Sequence, residues 1–290
     1  MNYIQGLKKR KNKIAVWGSG YIGLSTMAYY SKKKIKCVGF DIDKKKVDTI
    51  NSGNLPIKEL KDWFGFNIKS LVKKKYLQAT NNSNILSDNS FTVHFIAIPT
   101  EKNGKPFFKI LFNVLKKLVK IIKKKNKIKP VIIIESTLTP QCSEKKILPF
   151  FKKHNLVTGK DFIYGVAPRR DWFVEGTKSL VDIDRVFGST DVISSRVIKN
   201  ILSIVCKNLH EASSHKVSEM VKSIENAYRH MEITLANQLS LAYPKENMRE
   251  VLKLVGTKWN VEAFHPGIGA GGYCIPLSSR YILSQVKNAD

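Results

Sequence analysis

The chain has 290 residues, of which 43% are hydrophobic, so it can bury the cores of two domains and is not a disordered chain. Its net charge is +27, from 50 Lys and Arg against 23 Asp and Glu. The lysines occur in short, separate runs at predicted helix ends and loops, which is typical of a solvated basic surface, so nucleic acid is not an expected partner. A polyanion-binding protein is the third-ranked hypothesis, since it depends on the charge alone.

The cysteines and the hydropathy pattern exclude several other classes. Cys37, Cys142, Cys206 and Cys274 are far apart and form no CxxC pair, so we expect neither a disulfide framework nor a metal site. No segment approaches the ~20 apolar residues of a membrane span. The basic first dozen residues lack the apolar core of a signal peptide. We therefore expect a reduced, cytoplasmic protein without a membrane partner.

Short apolar runs alternate with amphipathic stretches in the first part of the chain. Strands are predicted at 14–17, 35–40, 92–98, 131–134, 162–166 and 185–188, and helices at 21–33 and 107–125. The β-branched run 131–134 is typical of a strand buried on both faces of a parallel sheet. This alternation predicts an α/β fold, with a doubly wound parallel, Rossmann-type sheet over residues 1–191.

From residue 192 the pattern becomes mainly helical, which predicts a central domain over 192–290. Residues 216–243 contain neither Pro nor Gly and predict one long helix that ends at Pro244. A second helix is predicted over 246–255, and a glycine-rich loop over 266–276. Because the long helix carries apolar residues on more than one face, we expect a homodimer through it.

A glycine motif follows the first predicted strand directly and opens the first helix. It reads Gly18-Ser19-Gly20-Tyr21-Ile22-Gly23, the GxGxxG pattern of dinucleotide-binding proteins in its required context. Gly18 permits a tight turn, Gly20 lets a pyrophosphate approach the backbone, and Gly23 lets the helix pack on the strand. The N–H groups at the helix start, around Tyr21 and Ile22, favour an anion.

An acidic residue at the end of the second strand completes this pattern. Asp41 lies 21 residues after Gly20. A carboxylate there accepts hydrogen bonds from the adenosine ribose and repels a 2′-phosphate, so the sequence predicts NAD rather than NADP. The neighbouring lysine run weakens that preference.

Three residues of the second part are candidates for catalysis. Cys274 follows two glycines, and a thiolate there can attack an aldehyde and hold the acyl product as a thioester. Lys222 and Asn226 are four residues apart, so they share one face of the long helix and can stabilise an alkoxide. Taken alone, an ordinary loop thiol and a solvated Lys–Asn pair are the commoner explanations.

Five segments of the chain have characteristic amino-acid sequences. They are, in order, residues 18–24 together with 40–47; Ile98-Pro99-Thr100; 135–140, reading Glu-Ser-Thr-Leu-Thr-Pro; 218–226 together with 236–239; and 271–276, reading Gly-Gly-Tyr-Cys-Ile-Pro. In sequence and in order, these segments resemble motifs of the UDP-glucose/GDP-mannose dehydrogenase family. Five matches in one order over nearly the whole chain are far more specific than any single match.

The resemblance implies a four-electron oxidation of a sugar C6 hydroxymethyl group to a carboxylate with two NAD molecules. The substrate would be a UDP-sugar of the glucose, N-acetylglucosamine or N-acetylmannosamine type, or a GDP-sugar, and the uronic acid would feed polysaccharide biosynthesis. Cys274 would form a thiohemiacetal and then a thioester, which water hydrolyses. Lys222 and Asn226 would steady oxygen charge at C6, and Thr137 would help to position water and cofactor.

The resemblance also implies binding residues. Asp41, Lys46, Thr100 and Thr137 would line the NAD site. The loop 263–271, which ends at Gly271, would contact the substrate together with Lys222 and Asn226.

Two positions depart from the family pattern. Arg169 follows Pro168 where the family has a glutamate, and Glu175 is our first candidate for a replacement acid, ahead of Asp171. Ser278 stands where the family has an aspartate four residues after the nucleophile. A hydroxyl can orient water, but it is not a base near neutral pH.

A second hypothesis follows from these departures and from the length of the chain. The family's C-terminal nucleotide-binding domain is expected to have no counterpart within 290 residues. The alternative to the dehydrogenase is therefore a truncated or inactive NAD-binding subunit of the same family.

Overall fold

The structure is a computed structural model that describes residues 3–124, 127–174, 176–262, 264–270 and 274–284. The strands are β1 Lys13–Trp17, β2 Cys37–Phe40, β3 Leu77–Thr80, β4 Phe91–Ile96, β5 Glu101–Lys102, β6 Lys105–Pro106, β7 Val131–Ile134, β8 Ile163–Val166, β9 Arg185–Ser189 and β10 Leu209–Glu211. The helices are α1 Tyr3–Lys8, α2 Tyr21–Lys32, α3 Lys44–Asn51, α4 Glu59–Phe64, α5 Lys69–Lys73, α6 Lys109–Lys123, α7 Leu148–Lys153, α8 Val192–Leu202, α9 His215–Ala242, α10 Met248–Val255 and α11 Cys274–Leu283.

One sheet organises the first part of the molecule, with the strand order β10-β9-β8-β7-β4-β1-β2-β3. Neighbouring strands are parallel except β8 and β9, which are antiparallel. A parallel connection from β8 to β9 would need a crossover element, usually a helix. The described residues between these strands, within 167–184, contain no helix. The prediction of a doubly wound, Rossmann-type sheet is confirmed, with one antiparallel pair added.

The order of the strands reverses between β1 and β4. The chain moves from β1 to β2 and β3 on one side, and from β4 to β7 and β8 on the other. Trp17 and Ile96 pair at the ends of β1 and β4, so the loops that follow both strands begin at the same edge. A ligand crevice forms at such a switch point, outside the carboxyl ends of the strands.

Strand β7 shows how the sheet is buried on both faces. Val131 and Ile133 belong to the hydrophobic cluster on one face, and Ile132 and Ile134 to the cluster on the other. Side chains alternate across a strand, so an unbroken apolar run places two residues on each face. The β-branched run therefore lies where the sequence predicted it.

The long helix α9 begins one residue before its predicted start and ends one residue before its predicted end. The Ser214 hydroxyl caps it by accepting a hydrogen bond from the Val217 N–H, and the helix ends just before Tyr243 and Pro244. The last strand of the sheet, β10, lies after residue 191. The division of the chain into domains at residues 191 and 192 stays a prediction.

Around Cys274 the structure differs from the predicted loop. Residues 274–276 form the start of helix α11 instead of the end of the 266–276 loop. The segment Cys-Ile-Pro-Leu can begin a helix because proline is tolerated in the first turn, where its missing N–H would have no partner. Within the described residues, no helix is both long enough and apolar enough to cross a bilayer.

Candidate active site

The glycine motif forms a tight turn between β1 and α2. Gly18 has φ +96°, and a Cβ at Gly23 would lie 1.9 Å from the Gly18 carbonyl oxygen, so both positions require glycine. A Cβ at Gly20 would meet no heavy atom within 4 Å, so the backbone there faces open space. Tyr21 and Ile22 form the first turn of α2. The turn therefore leaves room for a pyrophosphate at the start of α2.

Asp41 lies beside this turn, with its carboxylate fixed at the edge of the sheet. The Ser19 N–H donates to its Oδ2 at 2.9 Å and the Asp43 N–H to its Oδ1 at 3.1 Å. The Lys46 ammonium lies 3.2 Å from Oδ2. The carboxylate is buried, and these donors hold it just after β2, while its contact with a ribose stays a prediction. The residues of this edge fit an NAD molecule.

The segments after β4 and β7 join at the same edge. The Thr100 hydroxyl donates to the Thr137 carbonyl oxygen at 2.5 Å. The Ile98 N–H donates to the Ser136 hydroxyl at 2.9 Å, and this hydroxyl donates to the Ile98 carbonyl oxygen at 2.8 Å. Thr100 and Thr137, which the resemblance assigns to the NAD site, thus contact each other, and their contact with NAD stays a prediction.

Asn226 on α9 contacts the start of α11. Its Nδ2 donates to the Ser278 hydroxyl at 2.9 Å and, more weakly, to the Cys274 carbonyl oxygen at 3.4 Å. The Ser278 hydroxyl donates to the same carbonyl at 2.9 Å. Ser278 and Asn226 are buried, so this network fixes the backbone of the nucleophile candidate.

The Cys274 thiol is exposed, whereas Cys37, Cys142 and Cys206 are buried. Burial raises the pKa of the Cys37 and Cys142 thiols to about 12. Buried, protonated thiols are poor nucleophiles. Among the cysteines, the position and accessibility of Cys274 suit it to attack a substrate.

Lys222 lies in a chain of charges that sequence reasoning did not find. Its ammonium is 2.9 Å from Oε1 of Glu225, whose Oε2 is 2.6 Å from Nε of Arg170. Arg170 Nη1 also donates to the Asp184 carbonyl oxygen at 3.1 Å. The signal that was available is the run of two arginines after Pro168. An open groove beside this chain is lined by Arg170, Lys178, Ile183, Asp184, Glu225, Tyr228 and Arg229.

Arg169 is buried and fully partnered. Its Nε and Nη2 donate to the two carboxylate oxygens of Asp171 at 2.6 and 2.8 Å, and Nη1 donates to the Thr26 hydroxyl at 2.7 Å. Burial alone would lower the pKa of Arg169, but the carboxylates of Asp171 and Glu135 outweigh burial and raise it. Asp171, the second candidate for a replacement acid, therefore has both oxygens occupied. The first candidate, Glu175, and the substrate-loop residue Gly271 lie outside the described residues.

The strand order, the glycine turn and the carboxylate after β2 define a Rossmann-type dinucleotide-binding protein. Residues 12–205 match the NAD-binding domain of the UDP-glucose/GDP-mannose dehydrogenase family, and residues 216–290 match the family's central domain. The chain belongs to this family. The predicted family resemblance and the prediction of NAD as cofactor are thereby confirmed.

Relatives agree with this assignment. In an alignment of 298 positions, gaps included, the chain is 31% identical to a UDP-N-acetyl-D-mannosamine dehydrogenase of Methanococcus aeolicus, covering 98% of this chain and 63% of the relative. It is 28% identical over 277 residues to a UDP-N-acetyl-D-glucosamine 6-dehydrogenase of Salmonella typhi, covering 93% and 62%. The solved structure of a UDP-D-ManNAc dehydrogenase from Pyrococcus horikoshii has a TM-score of 0.84 at 27% identity, covering 96% and 65%. The chain thus spans less than two thirds of the length of these relatives.

Proposed function

We propose that this polypeptide takes part in the NAD-dependent oxidation of the C6 hydroxymethyl group of a UDP-sugar to a carboxylate, for polysaccharide biosynthesis. The observation that supports this best is the exposed Cys274 thiol at the start of α11, whose backbone is held by Asn226 and Ser278. Because the relatives compared above are named for UDP-N-acetylglucosamine and UDP-N-acetylmannosamine, these two are the first candidates, and UDP-glucose is the third.

The chemistry divides into two oxidations and a hydrolysis. NAD⁺, when bound, would supply the acceptor for a hydride from C6 in each oxidation, and the hydroxyl proton would be released to solvent. After the first, the C6 alcohol is an aldehyde, and the Cys274 thiolate adds to its carbon to give a thiohemiacetal. After the second, that carbon is a thioester, and water cleaves its C–S bond to release the acid and the free thiol. Lys222 would stabilise negative charge on the C6 oxygen in these steps, and Asn226 would hold the Cys274 backbone.

Ser278 provides no base for hydrolysis of the thioester. Its hydroxyl proton is donated to the Cys274 carbonyl oxygen, and its oxygen accepts from Asn226. A hydroxyl used in this way positions the nucleophile but takes no proton from water. Another group must take that proton, and Glu175 is the candidate that the sequence offers. Thioester hydrolysis is accordingly the slow step of our proposal.

The test is NADH release from the complete polypeptide with a panel of UDP- and GDP-sugars, followed by detection of the sugar acid. Cys274→Ala should abolish acid formation, whereas the matched change Cys206→Ala, at a buried thiol, should retain it. Acid formation by Cys274→Ala at the wild-type rate would remove Cys274 from the mechanism.

A second candidate function is an NAD-binding subunit without turnover. Two observations favour it, the arginine at position 169 and the serine at position 278 in place of the family's carboxylates. Calorimetry with NAD⁺ together with the NADH assay separates the two functions. Binding without NADH release from any sugar of the panel would favour the subunit.

We also propose that α9 forms a homodimer. Its apolar side chains Tyr228, Met231, Leu235 and Leu241 are each more than half exposed. A groove on this helix is lined by Ala227, His230, Met231, Thr234, Leu235, Gln238 and Ser279. Exposed apolar surface of this kind is typical of an interface. Light scattering should give twice the chain mass, and Leu235→Glu should give the monomer, whereas Leu283→Glu on α11 should not.

A further inference from the structure

The phenol of Tyr281 joins α11 to the segment that follows β4. Tyr281 is fully buried, and its hydroxyl lies 3.1 Å from the Thr100 hydroxyl. The single Thr100 proton is donated to the Thr137 carbonyl oxygen, so Tyr281 is the donor in this contact. Burial raises the pKa of Tyr281 to about 12, so the phenol keeps the proton that it donates. The bond therefore connects the Cys274 helix to both segments at the NAD-binding edge.

The helical repeat relates this bond to Cys274. Tyr281 lies seven residues after Cys274 in the same helix. Seven residues are close to two turns, so the two side chains leave the helix in nearly the same direction, about 10 Å apart along its axis. Since Tyr281 points to Thr100, Cys274 points to the same side of α11, toward the carboxyl edge of the sheet. The Tyr281–Thr100 bond thus lies on the side of α11 from which the Cys274 side chain projects.

Three further contacts anchor α11. His230 on α9 hydrogen-bonds the Ser279 hydroxyl at 2.9 Å, in addition to the Asn226–Ser278 bond. Arg280 on α11 packs against Gly104 in the β5–β6 hairpin. A Cβ at Gly104 would lie 2.2 Å from the Arg280 guanidinium. The bonds from α9 fix α11 relative to α9. Among these contacts, the Tyr281 hydroxyl is the one that reaches the Thr100 hydroxyl directly.

We propose that Tyr281 is a positioning residue, whose hydrogen bond to Thr100 holds α11, and with it Cys274, in a fixed orientation relative to the NAD-binding edge. This inference rests on the proposed function, in which Cys274 is the nucleophile and Thr100 borders the cofactor. Tyr281 itself contacts neither substrate nor cofactor in this role. It acts through the orientation of α11.

The test measures the rate of amide hydrogen exchange in the peptide that contains α11, by mass spectrometry, in the complete polypeptide without NAD or sugar. Tyr281→Phe removes the hydroxyl alone. We expect the hydrogen-bonded amides of α11 to exchange faster by about fivefold, which corresponds to about 1 kcal/mol at RT of 0.59 kcal/mol, because loss of one hydrogen bond increases the population in which α11 is open. Thr100→Val removes the partner hydroxyl together with its bond to the Thr137 carbonyl oxygen, so it should give at least this increase. The double variant should be no faster than Thr100→Val alone.

A matched control is Tyr30→Phe, since Tyr30 is also fully buried and donates one hydrogen bond, to the Ile201 carbonyl oxygen at 2.9 Å. This variant should leave amide exchange in α11 at the wild-type rate. Wild-type rates in both Tyr281→Phe and Thr100→Val would overturn the proposal. So would additive effects of the two changes, or a parallel increase in amide exchange in β1 and β7, because these results would indicate general loosening. The readout needs no turnover, so its failure is separate from a failure to release NADH.

Discussion

The Lys222 ammonium and the Glu225 carboxylate form an ion pair at 2.9 Å, and the same carboxylate binds Arg170 at 2.6 Å. Both lysine and glutamate are largely buried, so this pair is screened less than a surface pair. Arg170 binds Oε2 of Glu225, so Oε1 is the oxygen that orients the Lys222 ammonium. The direction of the lysine is therefore decided by residues on two elements, α9 and the segment after β8.

Replacing Glu225 by glutamine tests this arrangement. We expect Glu225→Gln to reduce kcat for NADH release by about threefold to tenfold, the effect of losing roughly 1 kcal/mol of orienting interaction, with little change in Tm. In a Lys222→Ala background the same change should have no further effect, because its target is gone. Additive losses would show that Glu225 does not act through Lys222. The matched control is Glu232→Gln, on the same helix.

Ser278 gives a prediction about the hydrolytic step. In rapid-quench experiments with NAD⁺ and a sugar that is turned over, the wild-type protein should accumulate acylated Cys274, because no carboxylate stands at position 278. Ser278→Asp should lower the acylated fraction and raise the rate of acid release several-fold, whereas Ser278→Ala should do neither. A wild-type protein without detectable acyl-enzyme would show that another group hydrolyses the thioester efficiently.

Asp41 should determine NAD affinity. Asp41→Ala removes a fixed carboxylate that would accept from the ribose hydroxyls, and hydrogen bonds to charged groups contribute about 1.5–3 kcal/mol. We therefore expect calorimetry to show a Kd for NAD⁺ higher by about tenfold to a hundredfold. Asp48→Asn, which alters an exposed carboxylate paired with Lys44 on the same helix, should leave the Kd unchanged. An unchanged Kd in Asp41→Ala would contradict the ribose contact.

His94 predicts how stability depends on pH. It is buried between Trp17, whose Nε1–H donates to Nδ1 at 3.3 Å, and the Phe91 carbonyl oxygen, 3.2 Å from Nε2. Burial lowers its pKa from 6.5 to about 4. The folded protein thus keeps the ring neutral, while the unfolded chain protonates it below pH 6.5. The stability from the neutral ring is complete above pH 6.5 and is lost as the pH falls toward 4.

Urea unfolding should therefore show a loss of roughly 1 kcal/mol from this residue between pH 7.5 and pH 5.5. His94→Leu should be less stable than wild type at pH 7.5, but it should lose less stability over the same interval. The other histidines are present in both proteins and cancel in the comparison. Equal pH dependence in the two proteins would mean that His94 is not held neutral.

Periodicity predicted the elements that are long or uniformly apolar, such as β7 and α9. It did not predict β3, Leu77–Thr80, because its Leu-Gln-Ala-Thr sequence has one β-branched residue. The β5–β6 hairpin was missed, although its Asn103-Gly104 turn, with φ of +54° and +71°, carries a known hairpin signal. Two-residue strands give no alternation to detect.

The site was predicted as far as its motifs reach. The glycine turn follows β1 and Asp41 follows β2. The two meet because β1 and β2 are neighbours in a parallel sheet, which the sequence predicted. The partners of Arg169 could not be predicted, since Thr26 and Glu135 come from distant segments and only packing brings them together. The Asn226–Ser278 bond likewise depends on how α11 packs against α9.

Gly188 on β9 has a consequence for the whole second half of the molecule. A Cβ there would lie 2.3 Å from the Ser214 carbonyl oxygen and 3.0 Å from the Ser218 Cβ, so the first turn of α9 rests directly on the strand. The helix has 28 residues and extends about 40 Å, so a tilt of about 5° at its base would move its far end by about 3–4 Å. The absence of a side chain at Gly188 thus sets the angle between α9 and the sheet. This angle in turn sets the position of the helices that pack against α9.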